Sequence, residues 1–505
     1  MIKSEDVLKF AFYFIGIMSK KTVRLREMTR RPSFYPILQG ILLTAFCFQA
    51  LFSHAQTAKV ADAPCWPFDI PIDSLIATGL PLVSITTVDE EEPTCDYVSA
   101  PEGSLGMSIT NTTKVPGRVM VILRGDTVFD SGEYEKDVSG MTIKIRGNSS
   151  AYSEKQPFKI KLQQKGDMLR RSNPRYEDKN WVLIYEASYT LNNLLARLVC
   201  KMTRMEWVPE GEYVNVIFNG HFRGLYFLSE SVDRNPKCRI DVDKQTGYII
   251  ELDPYWWNED VSFETQLTQG SPYTRYTFKY PDEDNVTEEQ IAYISEEMTA
   301  TERSIMDSTY ADHIDVESFV TWILTHEILG TWDAQGSNTF LSKYDNTTES
   351  KMKLGPPWDF DTILQTEGEW SNMHDSMLLP WFWGDPNGQF TKRFYERLEE
   401  ARVWLFDAVV RWADSFLKTD VAAGIDKSRR WDSPRWDIPF VTVASNVMTI
   451  SNWFEARKQW AGQIVGINEL QADPSHGARA FDLSGRRITT TPKGIYISEG
   501  RKYAR

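Results

Sequence analysis

Histidine and cysteine are scarce in this chain: 505 residues hold six of the first and five of the second. That leaves too few ligands for an array of zinc fingers and too few bridges for a disulfide-dense scaffold. Basic residues are in deficit too, with 56 Lys and Arg against 70 Asp and Glu and a formal net charge of −14. An acidic chain without a basic block argues against nucleic acid as the main partner, although a bound cation can invert the local field and admit a phosphate. No repeat with a period of roughly 20–50 residues is present, which argues against a solenoid or propeller. Three catalytic signatures are missing as well. No glycine-rich run ends in Gly-Lys-Ser or Gly-Lys-Thr, His326-Glu327 lacks a second histidine at zinc-protease spacing, and Gly147-Asn148-Ser149-Ser150 lacks the closing glycine of a nucleophile elbow.

What is present starts with a targeting pattern. Arg30 and Arg31 precede an apolar stretch from Tyr35 to Phe52, and Ser53-His54-Ala55 offers small residues for cleavage. Residues 1–55 therefore read as a secretory signal peptide, with Met28 a more natural start than Met1. Gln39, Gly40 and Gln49 keep the apolar run short of the ~20 residues that a membrane anchor needs, so cleavage is favoured. The expected address is secreted or cell-surface, with no stable membrane span afterwards. Export makes Cys65, Cys95, Cys200 and Cys238 an even set with three possible pairings. Cys65–Cys95 is the local choice, and Cys200 reads equally well as a buried small hydrophobe.

Length suggests roughly two to four domains. After a linker over 56–79, strands come first: Leu82–Ile85, Val119–Leu123, Met141–Ile145, Phe158–Leu162 and Trp181–Tyr185. A helix over Thr190–Met202 follows, then a strand pair joined by Asn219-Gly220, and a strand over Gly247–Leu252. Helical spacing dominates afterwards, at Thr287–Met306, Val316–Leu329, Arg393–Leu417 and Val441–Trp460. The layout is α+β, a main body over 80–465 that is strand-rich to about residue 255 and helical beyond it. Residues 478–505 form a separate small β tail of two short strands around a glycine turn.

Two stretches carry candidate chemistry. Lys144-Ile145-Arg146-Gly147-Asn148-Ser149-Ser150 runs from a strand into a small-residue turn and returns as Lys155-Gln156-Pro157-Phe158-Lys159-Ile160-Lys161-Leu162. Backbone N–H groups of such a turn receive phosphate oxygens and a lysine adds a point charge; a solvated polar hairpin is the plainer reading. The second stretch holds Asp333 and Asn338, five apart, and then Pro357-Trp358-Asp359-Phe360-Asp361. An Asp, an Asn five residues on and a later Asp-Phe is the phosphotransfer arrangement, in which one Asp accepts a hydroxyl proton and the other oxygen ligands hold Mg or Mn. The plainer reading is that Asp and Asn cap turns. Paired tryptophans such as Trp256-Trp257 and Trp381-Phe382-Trp383 offer sugar-stacking platforms, or core and interface.

Taken in order, Arg146-Gly-Asn-Ser-Ser, Lys-x-Pro-Phe-Lys-Ile-Lys-Leu, Trp181-Val-Leu, Leu191-Asn-Asn-Leu-Leu-Ala, Glu212-Tyr-Val-Asn-Val, Asn219-Gly-His-Phe-Arg-Gly-Leu-Tyr, Gly247-Tyr-Ile-Ile-Glu-Leu-Asp and Pro357-Trp-Asp-Phe-Asp resemble the spore-coat protein CotH kinase family, over roughly Leu80 to Ile464. The tail resembles the C-terminal sorting-type domain of secreted Bacteroidetes proteins. The resemblance implies a two-lobed atypical protein-kinase-like fold that binds ATP with Mg or Mn and phosphorylates Ser or Thr of an envelope or extracellular protein. It makes Asp333 the catalytic-loop Asp and Asn338, Asp359 and Asp361 the metal side. Arg146, Ser149 and Ser150 form the phosphate turn, Lys161 in first place and Lys159 in second reach the phosphates, and Glu251 lies on the strand beside adenine. Glu230 is the candidate partner for the lysine. Where the family usually carries Arg, the helix reads Asn192. A non-catalytic surface protein of the same fold, acting in adhesion or coat assembly, is the alternative, with a carbohydrate-binding protein third.

Overall fold

The computed structural model describes residues 70–472 except Leu105, 187–189, Pro272, Trp332, Gln335, 365–381 and 383–387, together with the backbone of four short strands beyond 472. The expected signal peptide, Cys65, Trp332, Trp381 and Trp383 lie outside the described residues. The compact body begins at Ile70, earlier than the expected boundary at 80. Helix α1 (Ile72–Ile76) buries Leu75 against Leu82, Ile217 and Phe222. Five residues are too few to display a helical period, so the segment reads as linker in the sequence.

The strand-rich part closes on itself. Its strands are β1 (Leu82–Thr87), β4 (Val115–Leu123), β5 (Asp126–Asp130), β6 (Met141–Ile145), β7 (Phe158–Gly166), β8 (Asp178–Ile184), β9 (Gly211–Phe218) and β10 (His221–Glu230). β1 pairs in parallel with β9 on one side and antiparallel with β4 on the other, so the order β1-β9-β10-β8-β7-β6-β4 returns to β1. Alternation drives the closure. Val119, Val121, Ile143, Ile145, Phe158 and Ile160 are buried in one interior cluster, and the residues between them face outward. The expected strands and the Asn219-Gly220 hairpin are all found here, but a barrel was not part of the two-lobed expectation. A separate hairpin, β2 (Asp96–Ser99) and β3 (Met107–Thr110), lies outside the barrel sheet.

A second sheet has the order β12-β13-β11-β14-β15, built from β11 (Tyr248–Asp253), β12 (Ser262–Phe263), β13 (Arg275–Tyr280), β14 (Thr339–Lys343) and β15 (Lys353–Pro357). Its register positions the site: Leu252 pairs with Thr339, and Thr339 pairs with Pro357. The residue after β11, the one before β14 and those after β15 therefore emerge at one end of the sheet.

Helices complete the body. α2 (Asn192–Met202) follows β8, and α3 (Glu288–Met306) starts with a capping box in which Thr287 and Gln290 satisfy each other's N–H groups. α4 (Val316–Leu329) is buried on all sides from Phe319 to Leu329, capped by Asp315 at its start and ended by Gly330 at φ 61°. His326 and Glu327 serve this core: Glu327 pairs with Arg457 at 3.2 Å, and burial pulls the His326 pKa down to about 3. α5 (Gln389–Phe416), α6 (Asp420–Trp436) and α7 (Val443–Ala472) follow. α6 has no counterpart in the sequence reading, because Gly424, Pro434 and dense charge hide its period. The tail backbone forms four short strands rather than two, β16 (Ala480–Phe481), β17 (Arg487–Ile488), β18 (Ile495–Ser498) and β19 (Arg501–Ala504).

One buried ion pair joins barrel and helices. Lys155 donates to the Leu225 carbonyl at 2.8 Å and pairs with Asp432 of α6, both side chains essentially without solvent exposure. Removing one partner of such a pair leaves the other charge uncompensated, at about 3–5 kcal/mol. We expect Asp432→Ala to lose stability on that scale in urea denaturation and the Lys155→Met/Asp432→Leu double variant to regain most of it.

Candidate active site

Each group at the end of the second sheet arrives by a different route. Gly330 turns the chain out of α4 towards Asp333, Asn338 precedes β14, and Asp359 and Asp361 follow β15. From the barrel, β6 ends at Ile145, and Arg146 leads into the turn over Ser149–Tyr152. Gly147 adopts φ 91°, and a Cβ there would stand 2.3 Å from the Ser150 hydroxyl, so only glycine fits. Arg146, Ser150, Tyr185, Asn193, Arg197, Trp358, Asp359 and Asp361 are among the residues lining a cavity of about 40 Å³. That holds a few waters or the oxygens of one phosphate. It is far below the ~300 Å³ at which small-molecule pockets begin, so a whole nucleotide needs the cleft to open.

The acids repel one another. Asp333 is pushed up to about 7, first by desolvation and then by the charge of Asp359, with the Ser337 hydroxyl at 3.0 Å opposing the shift. Asp361 is pushed well up by partial desolvation, then by Asp359, Glu186 and Asp333. Asp359 is raised as well, held back by Arg146 and by the Asp361 N–H that its carboxylate accepts. Asp359 and Asp361 touch water at the mouth of the cleft with protein on their other sides, and that access tempers the size of both effects. Arg146 is their counter-charge, its guanidinium 5.8 Å from the centre of the Trp358 ring. Asn338 donates to the Asp333 carbonyl at 3.2 Å and, like Asp359, has a left-handed backbone, a conformation costing ~1–3 kcal/mol in a residue other than glycine.

The phosphate-side expectations divide. Ser150 lines the cavity, while Ser149 is exposed and bonds the Tyr255 hydroxyl. Lys161, the first choice, is exposed on β7 opposite Asn180, away from the acids. Lys159 is the lysine near Arg146: it faces Lys144 across the strands, and desolvation pulls its pKa down to about 8 despite Asp233. The two lysines share a strand face, but Lys159 lies two residue pairs nearer the strand end that carries Arg146. The first lysine of the same motif, Lys155, is spent on Asp432.

Glu230 does not serve a phosphate-site lysine; it pairs with Arg171 at 2.8 Å and accepts the Glu210 N–H. Glu251 pairs with Lys279 at 2.9 Å. β11 is bonded on both edges, to β13 and to β14, so it offers adenine no free backbone edge of the kind a hinge strand presents. Among the described residues Cys95, Cys200 and Cys238 are free; Cys200 is fully buried and its thiol is pushed up to about 12, the small-hydrophobe reading.

Several groups at the site escape sequence reasoning. Tyr255, raised to about 12 by burial and by Asp333, ties the Ser149 turn to the acids. Glu186 accepts from the Asn193 N–H at 3.0 Å and from the Tyr213 hydroxyl. Arg197 bonds Asn193, Pro209 and Ser229. The available signal was the polar Asn192-Asn193 pair at the start of an otherwise apolar helix face. Among the described residues no three His, Cys, Asp or Glu side chains are gathered as a closed cation cage. An oxygen-only set with few protein ligands is nevertheless the kind Mg²⁺ uses, since that ion keeps waters and shares substrate phosphates.

Desolvation of Asp333 has a thermodynamic sign. Its folded pKa lies above the unfolded value, so the folded chain holds a proton that the unfolded chain releases, and stability falls as pH rises from about 4 to about 7. We expect Asp333→Asn to melt above the wild type at pH 8, with the difference vanishing near pH 4.

A family model described as CotH kinase protein matches residues 143–417, more than half of the chain. No curated protein matches it.

Proposed function

The chain belongs to the CotH kinase family, and on that premise we propose that it transfers the γ-phosphate of ATP to Ser or Thr hydroxyls of an envelope or extracellular protein, with Mg or Mn. The observation that carries this reading is the convergence of Asp333, Asp359 and Asp361, acids whose proton affinity is raised first by desolvation and, for Asp333 and Asp361, by the charge of Asp359, opposite the guanidinium of Arg146. Such a set is costly for the empty fold and is relieved by a cation bridging to phosphate.

Asp359, Asp361 and the amide oxygen of Asn338 would hold the cation, whose chemistry is to neutralise charge on the phosphate oxygens. Arg146 and Lys159 supply further positive charge from the barrel side, and Ser150 borders the same space. Asp333 accepts the proton of the attacking hydroxyl, a task suited to a group titrating near neutrality. Tyr255 keeps the Ser149 turn in register with Asp333. The two-lobed kinase-like arrangement is part of the same proposal: opening between barrel and second sheet would admit the nucleoside that the closed cavity excludes. Export through the N-terminal segment would bring the enzyme to its substrates.

Saturating ATP with Mn²⁺, at ~100 times its dissociation constant, is expected to stabilise the protein by about 2.7 kcal/mol. Transfer of label from γ-labelled ATP to protein is expected to fall at least about 100-fold in Asp359→Ala and Asp333→Asn. In the wild type it should rise with pH up to about 7, as Asp333 loses its proton. A melting point indifferent to nucleotide, with no label transferred, would instead identify a non-catalytic binding protein of this fold.

A further inference from the structure

We infer that Asn192 is the positioning residue of the acidic segment, the group that aims Asp359 and Asp361. The inference rests on the reading of those two carboxylates as the cation-holding side of the site. Asn192 is buried in the first turn of α2, and its single amide nitrogen donates to the carbonyls of Phe360 at 3.0 Å and Asp361 at 3.2 Å. One side-chain NH₂ with two hydrogens thus grips two consecutive carbonyls, which fixes the two peptide planes that meet at the Asp361 Cα.

The grip has a firm base. Asn193 is held to Glu186 through its N–H and its amide, Glu186 to Tyr213 of β9, and Arg197 to Asn193 and to Ser229 of β10. Arg197 also lies 5.8 Å from the centre of the buried Phe360 ring. α2 is therefore bolted to the barrel, and Asn192 extends that rigidity to a segment that leaves the second sheet. Other restraints on the segment are the Asp361 N–H to the Asp359 carboxylate, a long Ile363 N–H bond to the Phe360 carbonyl at 3.5 Å, the Asp333 N–H to the Thr362 hydroxyl at 3.2 Å and the Leu364 N–H to Leu329 at 2.8 Å, none of which reaches the Asp361 carbonyl. Asp359 keeps φ 58° between them. Without the two donors of Asn192 the peptides on either side of Asp361 lose their tie to α2, and with it the fixed direction of the Asp361 carboxylate and of the Asp359 carboxylate bonded to its N–H.

Binding of Mn²⁺ to the full chain in the presence of ATP, followed by the paramagnetic resonance of the free ion, tests this apart from turnover. Asn192→Leu keeps the size of the side chain and removes both donors; Asn192→Gln keeps both. We expect Asn192→Leu to weaken Mn²⁺ binding by about 10–100-fold with the melting point of the apo protein largely kept, and Asn192→Gln to recover most of the affinity. If Asn192→Leu does not fold, Asn192→Ala takes its place as the donor-free variant. Wild-type affinity in the donor-free variant, or equal loss in Asn192→Gln and Asn192→Leu, overturns the inference while leaving the proposed function standing. Failure of the wild type itself to bind Mn²⁺ with ATP overturns both.

Discussion

Desolvation of Asp333, Asp359 and Asp361, joined by repulsion from Asp359 on the other two, is the constraint around which the molecule is arranged. Carboxylates withdrawn from water at one place cost free energy in the empty fold, and their raised proton affinities express that cost. Among the described residues Arg146 answers Asp359 and Asp361 from the barrel side. Everything that brings these groups together must therefore be rigid enough to resist their separation. The β11-β14-β15 register, the buried α4 with its glycine stop and the α2 network supply that rigidity.

The barrel contributes a frame with no free edge around its ring and an outer face studded with cations. Lys144 and Lys159 stand directly opposite each other on β6 and β7, an unfavourable pairing in isolation. Asp233 draws Lys159, and Glu259 draws Lys144. The same alternation that buries Ile143 and Ile160 in the barrel thus aims Lys144, Arg146 and Lys159 outward, so core formation and charge placement are one event. The Lys155–Asp432 pair then ties this frame to α6. A motif rich in lysines accordingly splits its labour: Lys155 holds the fold, Lys159 is half-buried near Asp233 and Arg146, and Lys161 faces solvent.

Much of this was legible locally. Strands with period two, the Asn219-Gly220 turn and the helix over Val316–Leu329 can all be read without coordinates, because each depends on neighbours within a few residues. The choice among lysines could not. Lys159 and Lys161 have the same side-chain direction and nearly the same neighbours in sequence, and their different surroundings come from Asp233, Lys144 and Arg146, all supplied by other elements. Glu230 and Glu251 were equally ambiguous for the same reason, since each is claimed by a partner that the chain brings from elsewhere.

The order of strands before helices and the positions of most elements were settled by amino-acid pattern alone, through short-range stereochemistry and the burial of alternating or helically spaced apolar residues. Closure of the barrel, the convergence of Asn338 and Asp359 at one sheet end, and the hold of Asn192 on the Phe360 and Asp361 carbonyls were decided only by tertiary structure. Pairing register and side-chain reach across more than a hundred residues depend on where whole elements pack, and no local periodicity encodes that distance.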